Sequence, residues 1–400
     1  MKESFWEKLR RVKFKDILHI FLFLLALIPS WIYKKIRPHL WLICEYGDEA
    51  QDNGFVFYKY LRTHQPHIDA VYAIRRNSPA YPKVASLGET VHFGSFKHWI
   101  YYLSAEVNIS SQKGGKPNAA VCYLLEVVLG LINNTRVFLQ HGITYNDLPY
   151  LHRENAKLSL FCCGAKPEYE FIRDTFGYPE SAIKYVGFCR FDQYHEAATD
   201  KDIVLIMPTW RMWLERDKSE QGRKAFLNSS YYHCWNTLLQ DGRLAELLKK
   251  WGKRAIFCMH RNMQAYEALF QSKSANIQVL DWHEADIPQL LITAGVLITD
   301  FSSVSMDFAY MKKPVIYYQF DMEYFRNRHL PEGYFDFERD GFGPVCNTGF
   351  ELLDQLDKIF INRCEMELKY LKRVDNFYPL YDNKNCERTY QAVKNLLESI

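Results

Sequence analysis

From residue 40 almost to the end of this 400-residue chain, short runs of Val, Ile and Leu alternate with amphipathic stretches. The runs are strand-length and apolar throughout, as strands buried on both faces must be. Such strands belong to parallel sheets covered by helices. In the first half the strand candidates are residues 40–44, 70–74, 107–110, 137–139, 158–162 and 185–186. In the second they are 203–207, 255–259, 277–280, 296–299 and 315–318. A chain of this length exceeds what one core usually holds, so the expected fold is α/β with two doubly wound Rossmann-type domains facing a cleft. The polar stretch His195 to Asp202 is the expected link. No repeat of 20–50 residues is visible, which excludes a solenoid.

The apolar fraction of 48% and aromatic content of 16% suit a packed globular protein. Net charge is only +3 but is unevenly spread. Residues 1–37 carry nine Lys/Arg against Glu3, Glu7 and Asp16, so the remaining chain is slightly acidic. Nucleic acid is therefore not an expected partner. A basic segment beside an apolar one points instead to an anionic membrane surface. The ten cysteines are scattered without C-x-x-C spacing, which predicts reduced structural thiols in a cytoplasmic protein and no zinc site.

Residues 17–28, ILHIFLFLLALI, form an apolar run of twelve with positive charge on both sides. That is short of the roughly 20 residues a spanning helix needs. No small-x-small cleavage site follows, which argues against a secretory signal. A buried helix of a soluble domain is one alternative. The preferred expectation is a monotopic helix on the cytoplasmic face of the membrane, its apolar face inserted and its Lys/Arg flanks on anionic head groups.

Residues 296–318, VLITDFSSVSMDFAYMKKPVIYY, read as strand, Asp300, a Ser302-Ser303 pair, an amphipathic helix and a second strand. A βαβ unit places the open N-terminus of its helix at the carboxyl edge of the sheet, where amide N–H groups and two hydroxyls suit a phosphate. A plain helix cap is the alternative. Asp307, about one turn along, is a candidate acceptor for ribose hydroxyls. Other strands also end in polar groups. Gln140-His141-Gly142 follows 137–139, and an imidazole held there suits removal of a proton from a hydroxyl. Arg190, in the segment Gly187 to Asp192, can clamp a phosphate, or pair locally with Asp192. Pro208-Thr209-Trp210-Arg211 places a hydroxyl and a guanidinium at the next rim, and Cys258-Met259-His260-Arg261 ends another strand. No H-E-x-x-H or Walker lysine suggests a metal.

In this order these motifs resemble the CDP-glycerol:poly(glycerophosphate) glycerophosphotransferases, over roughly residues 135–392. The resemblance rests on His141-Gly142, Gly187 to Asp192, Pro208 to Arg211, His260, Ile298 to Ser303 with Asp307, and Gly343-Pro344. It implies a GT-B-like fold, a CDP-alcohol donor, no further cofactor, and peripheral attachment to the inner leaflet. By position, His141 corresponds to the base, with His260 as a second catalytic residue. Gly142, Ile143, Thr144, Tyr145, Arg190, Pro208, Thr209, Arg211, Cys258, Met259, Ser302, Ser303 and Asp307 correspond to the donor site. The implied division is a membrane-associating segment 1–37, an acceptor-side domain 38–195, a donor domain 196–375, and a terminal helix in 376–400 packing back on the first domain. The implied reaction moves glycerol phosphate from CDP-glycerol to a lipid-linked or surface-glycan hydroxyl and releases CMP. The sequence departs from the family pattern at Ile143 to Pro149, at Cys258-Met259 and at Asp382-Asn383, which leaves the alcohol and the acceptor open. CDP-ribitol, a sugar nucleotide or a non-catalytic assembly role are the alternatives.

Overall fold

A computed structural model of the chain describes residues 13–196, 198–215, 219–281, 286–328 and 331–399. They form two compact units. The basic residues of the first twelve positions lie outside the described residues.

The first unit runs to Ile143 and adds Pro149–Asp192 and the chain from Asp382 onward. Its strands are β1 (Trp41–Cys44), β2 (Ala70–Ile74), β3 (Thr90–His92), β4 (Val107–Ser110), β5 (Arg136–Phe138), β6 (Leu160–Cys163) and β7 (Ile183–Tyr185). They make one parallel sheet in the order β3-β2-β1-β4-β5-β6-β7. The strand order reverses between β1 and β4, where Trp41 pairs with Val107. At such a switch point the loops after the two strands part and leave a crevice. One sheet face packs on α2 (Asn53–His64) around Phe57, Tyr58 and Leu61. The other packs on α3 (Phe96–Ser104) around Trp99, Tyr101 and Tyr102.

The first helix, α1, runs from Phe14 to Ile36. The helix extends beyond the apolar run of twelve on both sides, because Pro29 removes one donor without ending it. The stretch Asp16–Ile36 is 21 residues and long and apolar enough to cross a membrane by length and composition. One face is docked. Phe23 packs edge-on against Trp99, Trp99 donates to His19 at 3.2 Å, and Tyr33 stacks on Tyr101. The opposite face leaves Leu18, Phe21, Leu25, Ile28 and Trp31 at least 60% exposed.

The second unit comprises Thr144–Leu148 and Gln193–Tyr381. Its strands are β8 (Asp200–Ile206), β9 (Arg254–Cys258), β10 (Ile277–Leu280), β11 (Ala294–Thr299), β12 (Val315–Tyr318) and β13 (Val345–Cys346). The parallel order is β10-β9-β8-β11-β12-β13, so β8 and β11 flank the switch point. Thr144 and Tyr145, expected in the first domain, belong to this unit. The Tyr145 ring packs against Phe335 and Phe337, and its hydroxyl donates to the Phe301 carbonyl.

The terminal segment divides between the units. Residues to Tyr381 stay with the second, while the helix Asn385–Glu398 packs in the first through Cys386, Tyr390 and Val393. The ten cysteines are free, and nine are buried.

Candidate functional site

In the first unit the predicted base stands just beyond β5. Gln140, before it, has φ of 60°. This left-handed conformation costs a non-glycine residue about 1–3 kcal/mol and persists only where surrounding bonds enforce it. Here the Gln140 amide donates to the Cys162 carbonyl at 2.9 Å and to Glu168 at 3.0 Å. Glu168 is itself fixed by the Gly164 N–H at 2.7 Å. From the other side, buried Asn53 donates to the Gln140 carbonyl at 2.7 Å and accepts the Arg190 N–H at 3.0 Å. The chain is thus pinned through the side chain and the carbonyl of Gln140, directly before His141. His141 keeps surface open to solvent although protein crowds it.

Desolvation by surrounding protein holds the His141 pKa below the usual imidazole value. Asp52 opposes that shift, Arg190 adds to it, and a hydrogen bond to the Ser111 main chain opposes it. A lowered pKa keeps the ring neutral and able to take a proton at neutral pH.

Arg190 pairs with Asp52 at 2.8 Å and lies over the Phe188 and Phe191 rings. Its partner is therefore Asp52 and not Asp192. Asp192 instead accepts the Asn385 and Cys386 N–H groups at 2.8 and 2.9 Å. Asp52 and Asn53, at the start of α2, are functional neighbours that sequence reasoning missed. The only signal was a helix-capping Asp-Asn pair, which is common. Beneath them Glu45, at the end of β1, accepts the Gln51, Asp52 and Phe55 N–H groups. Burial and Asp52 nevertheless push its pKa up to about 8.

In the second unit the predicted residues gather at the β8/β11 switch point. The Thr209 N–H donates to Asp300 at 2.8 Å, and the Thr299 hydroxyl donates to the Met207 carbonyl at 2.7 Å. The helix after β11 (Val304–Tyr310) starts at Ser303 without a side-chain cap bond. Ser302 Oγ meets the Val304 N–H only at 3.4 Å. The simple capping alternative thus fails for Ser303 and is weak for Ser302.

Arg211 does not sit at the rim as expected. It is fully buried, ion-paired with Asp300 at 2.9 Å and gripping Asp321 with two bonds of 2.9 Å. The Tyr231, Phe301 and Phe325 rings surround it. Two carboxylates and three rings outcompete a position in water, so Arg211 is a latch beneath the site and not a phosphate ligand. Asp307 is also buried and accepts the Tyr194 hydroxyl at 2.8 Å, which leaves it little surface for a ribose. Ile143, Tyr145, Cys258 and Met259 are buried as whole residues. Gly142, Arg190, Ser303 and His260 are partly exposed, whereas Thr144, Pro208, Thr209 and Ser302 are buried.

His260 stacks near Trp210, with ring centroids 6.2 Å apart. Its Nδ1 accepts the Asn262 N–H at 3.2 Å. Burial, with help from Arg261, pulls its pKa down to about 4. A neutral ring whose Nδ1 accepts carries its proton on Nε2, so His260 is a hydrogen-bond donor and not a base at neutral pH. Among the described residues no group of three His, Cys, Asp or Glu side chains is placed to hold a metal ion.

The sequence profile of the CDP-glycerol:poly(glycerophosphate) glycerophosphotransferase family matches residues 29–395. Minor teichoic acid biosynthesis protein GgaB of Bacillus subtilis is 33% identical over 367 residues, covering 90% of this chain and 40% of that protein. A teichoic acid poly(glycerol phosphate) polymerase of Staphylococcus epidermidis is 20% identical, covering 88% of this chain and 49% of its own length. The chain thus spans half or less of these relatives. Among solved structures, the wall teichoic acid polymerase TagF is similar with a TM-score of 0.67 at 18% identity, covering 99% of this chain and 98% of that one. That likeness establishes the two-sheet GT-B fold.

Proposed function

Because the chain belongs to the CDP-glycerol:poly(glycerophosphate) glycerophosphotransferase family, we propose that it transfers glycerol phosphate from CDP-glycerol to a hydroxyl of a teichoic-acid-like or capsular glycan. His141 takes the acceptor proton, the oxygen attacks the phosphorus next to glycerol, and CMP leaves with the electrons of the broken P–O bond. The observation that carries this reading is the pinned, desolvated His141 beside Asp52 and Arg190. Little covalent work falls to the protein in such a displacement, so positioning and charge neutralisation are its tasks. On the second unit, the Ser302–Ser303 turn and the Nε2–H of His260 are the donors assigned to phosphoryl oxygens. Arg190 is assigned the same task in the first.

The exposed apolar face of α1 supports peripheral attachment to the cytoplasmic membrane surface, where a lipid-linked acceptor would be met. The test is incubation with CDP-glycerol, CDP-ribitol and UDP-sugars together with extracted surface-glycan acceptors. CMP release from CDP-glycerol with a matching mass increase on the acceptor is the expected result. Release of UDP from a sugar nucleotide would replace this reading with glycosyl transfer, and no turnover of any donor would favour an assembly role.

A further inference from the structure

In the first unit a cavity of about 1100 Å³ lies under the loop that follows β4. It is larger than the roughly 300–1,000 Å³ usual for small-molecule pockets. Its wall is apolar, with Tyr123, Leu124, Val127, Val128, Phe138 and Leu151. Residues 124–128 form a π-helical turn, a rare winding that recurs at functional sites. The loop, Ser110-Ser-Gln-Lys-Gly-Gly-Lys116, brings two lysines to this apolar wall.

The polar groups are incompletely satisfied. Buried Glu126 pairs with Lys116 at 2.5 Å and also with Arg136. Arg136 is 6% exposed and lines the cavity, yet among the described residues its Nε–H has no hydrogen-bond partner, and neither does the amide oxygen of Asn108, 7% exposed on the same lining. Lys113 donates to the Tyr150 and Asn155 carbonyls, with no carboxylate bonded to it among the described residues. Burial, then Lys116 and Arg136, pull its pKa down to about 8. Three cations thus face Glu126 and the rim residue Glu154.

Two connections give this cavity a role. Ser110 and Gln112 line it, and Ser111 between them is the residue whose main chain meets the His141 ring. The short helix Ala119–Tyr123 that begins its wall is capped by Asn118, whose amide also donates to Asp16 of α1 at 2.8 Å. The loop that lines the cavity therefore touches the base, and the helix that begins its wall is tied to the first turn of α1.

We propose that it holds the hydrocarbon chain and first phosphate of an amphiphilic acceptor, an isoprenoid or acyl chain bearing a phosphate head. This rests on the transferase reading above and adds the place where the acceptor's anchor sits. The apolar wall takes the chain, while Lys113 and the open Arg136 Nε–H take the phosphate.

Binding to the full chain is measured with farnesyl phosphate, farnesol and inorganic phosphate. Farnesyl phosphate is expected to bind at least about tenfold tighter than either half. Lys113→Gln should cost about tenfold for farnesyl phosphate and leave farnesol unchanged. Val128→Trp or, should that variant not fold, Ala120→Phe fills the cavity and should remove the advantage of the chain. Equal binding of farnesol and farnesyl phosphate, or full binding in a folded cavity-filled variant, overturns the proposal. Transfer to a soluble, chain-free acceptor should survive in the filled variant, while transfer to a chain-bearing one falls. The two readings fail separately: CMP release without amphiphile binding removes the cavity assignment alone, and amphiphile binding without any CMP release removes the transferase reading.

Discussion

The Asp300 carboxylate accepts the main-chain N–H of Thr209 at 2.8 Å, and this bond ties together the carboxyl ends of β8 and β11. The same carboxylate is held by Arg211, which Asp321 grips in turn. The rim of the second sheet is therefore set by a buried ionic cluster beneath it, and the residues above can be tested apart from those below.

Replacing His141 by Ala should lower turnover at least about 100-fold while the protein stays folded, as loss of a general base typically does. Because desolvation depresses the His141 pKa, the acid limb of the kcat/KM profile should fall below the ordinary imidazole value of 6.5. A limb above it, measured by CMP release across pH, would show that another group is the base.

His260 should behave as a donor. With its pKa near 4 the ring stays uncharged through the neutral range, so no inflection from it should appear above about pH 5. His260→Gln keeps an N–H donor and should retain more activity than His260→Ala. Steady-state kinetics of the pair, showing equal losses, would remove this role.

Arg211→Met should be a stability variant. Removing one partner of a buried ionic cluster costs about 3–5 kcal/mol, because Asp300 and Asp321 are left without their cation. Urea unfolding is the measurement. A variant as stable as wild type with a raised KM for CDP-glycerol would return Arg211 to the binding site.

Gly187 has φ of 77°, and a Cβ there would lie 1.7 Å from Asn385 Oδ1. Gly187→Ala should therefore cost at least about 1–3 kcal/mol from the backbone alone, with the first unit unfolding at lower denaturant. Unchanged unfolding would mean that the Asn385 contact yields freely.

Charging the outer face of α1, as Leu25→Lys with Ile28→Lys, should abolish sedimentation with anionic vesicles and leave folding intact, since both side chains are exposed. Retained vesicle binding would place the membrane contact elsewhere.

Much of the fold was legible because strands buried on both faces declare themselves. Residues 70–74, 107–110, 277–280 and 315–318 are strands at the expected bounds. Thr90–His92 and Val345–Cys346 were missed, since two or three residues at a sheet edge carry no periodicity. The Gln140–Gly142 and Ser302–Ser303 turns were readable from their place after apolar runs. The fate of Arg211 was not, because its partners Asp300 and Asp321 are 89 and 110 residues away in sequence, and pairing at that distance leaves no local mark. The same holds for Asp52 beside Arg190. The lysine- and glycine-rich loop after β4 was visible as residues, but only the cavity beneath it gives those lysines a purpose.

The helix Asn385–Glu398 completes the unit that begins with α1. Asp192 locks onto Asn385 and Cys386, and Arg388 donates to the Val186 carbonyl at 2.9 Å. The unit whose strands are made before those of the second unit thus matures only after them. Until residue 398 is made, the β6 side of the first sheet waits with its apolar flank uncovered, a long-range closure that is slow and exposed to aggregation. A chain stopped near residue 381 should therefore accumulate with chaperones, even though every residue assigned to catalysis has already been synthesised.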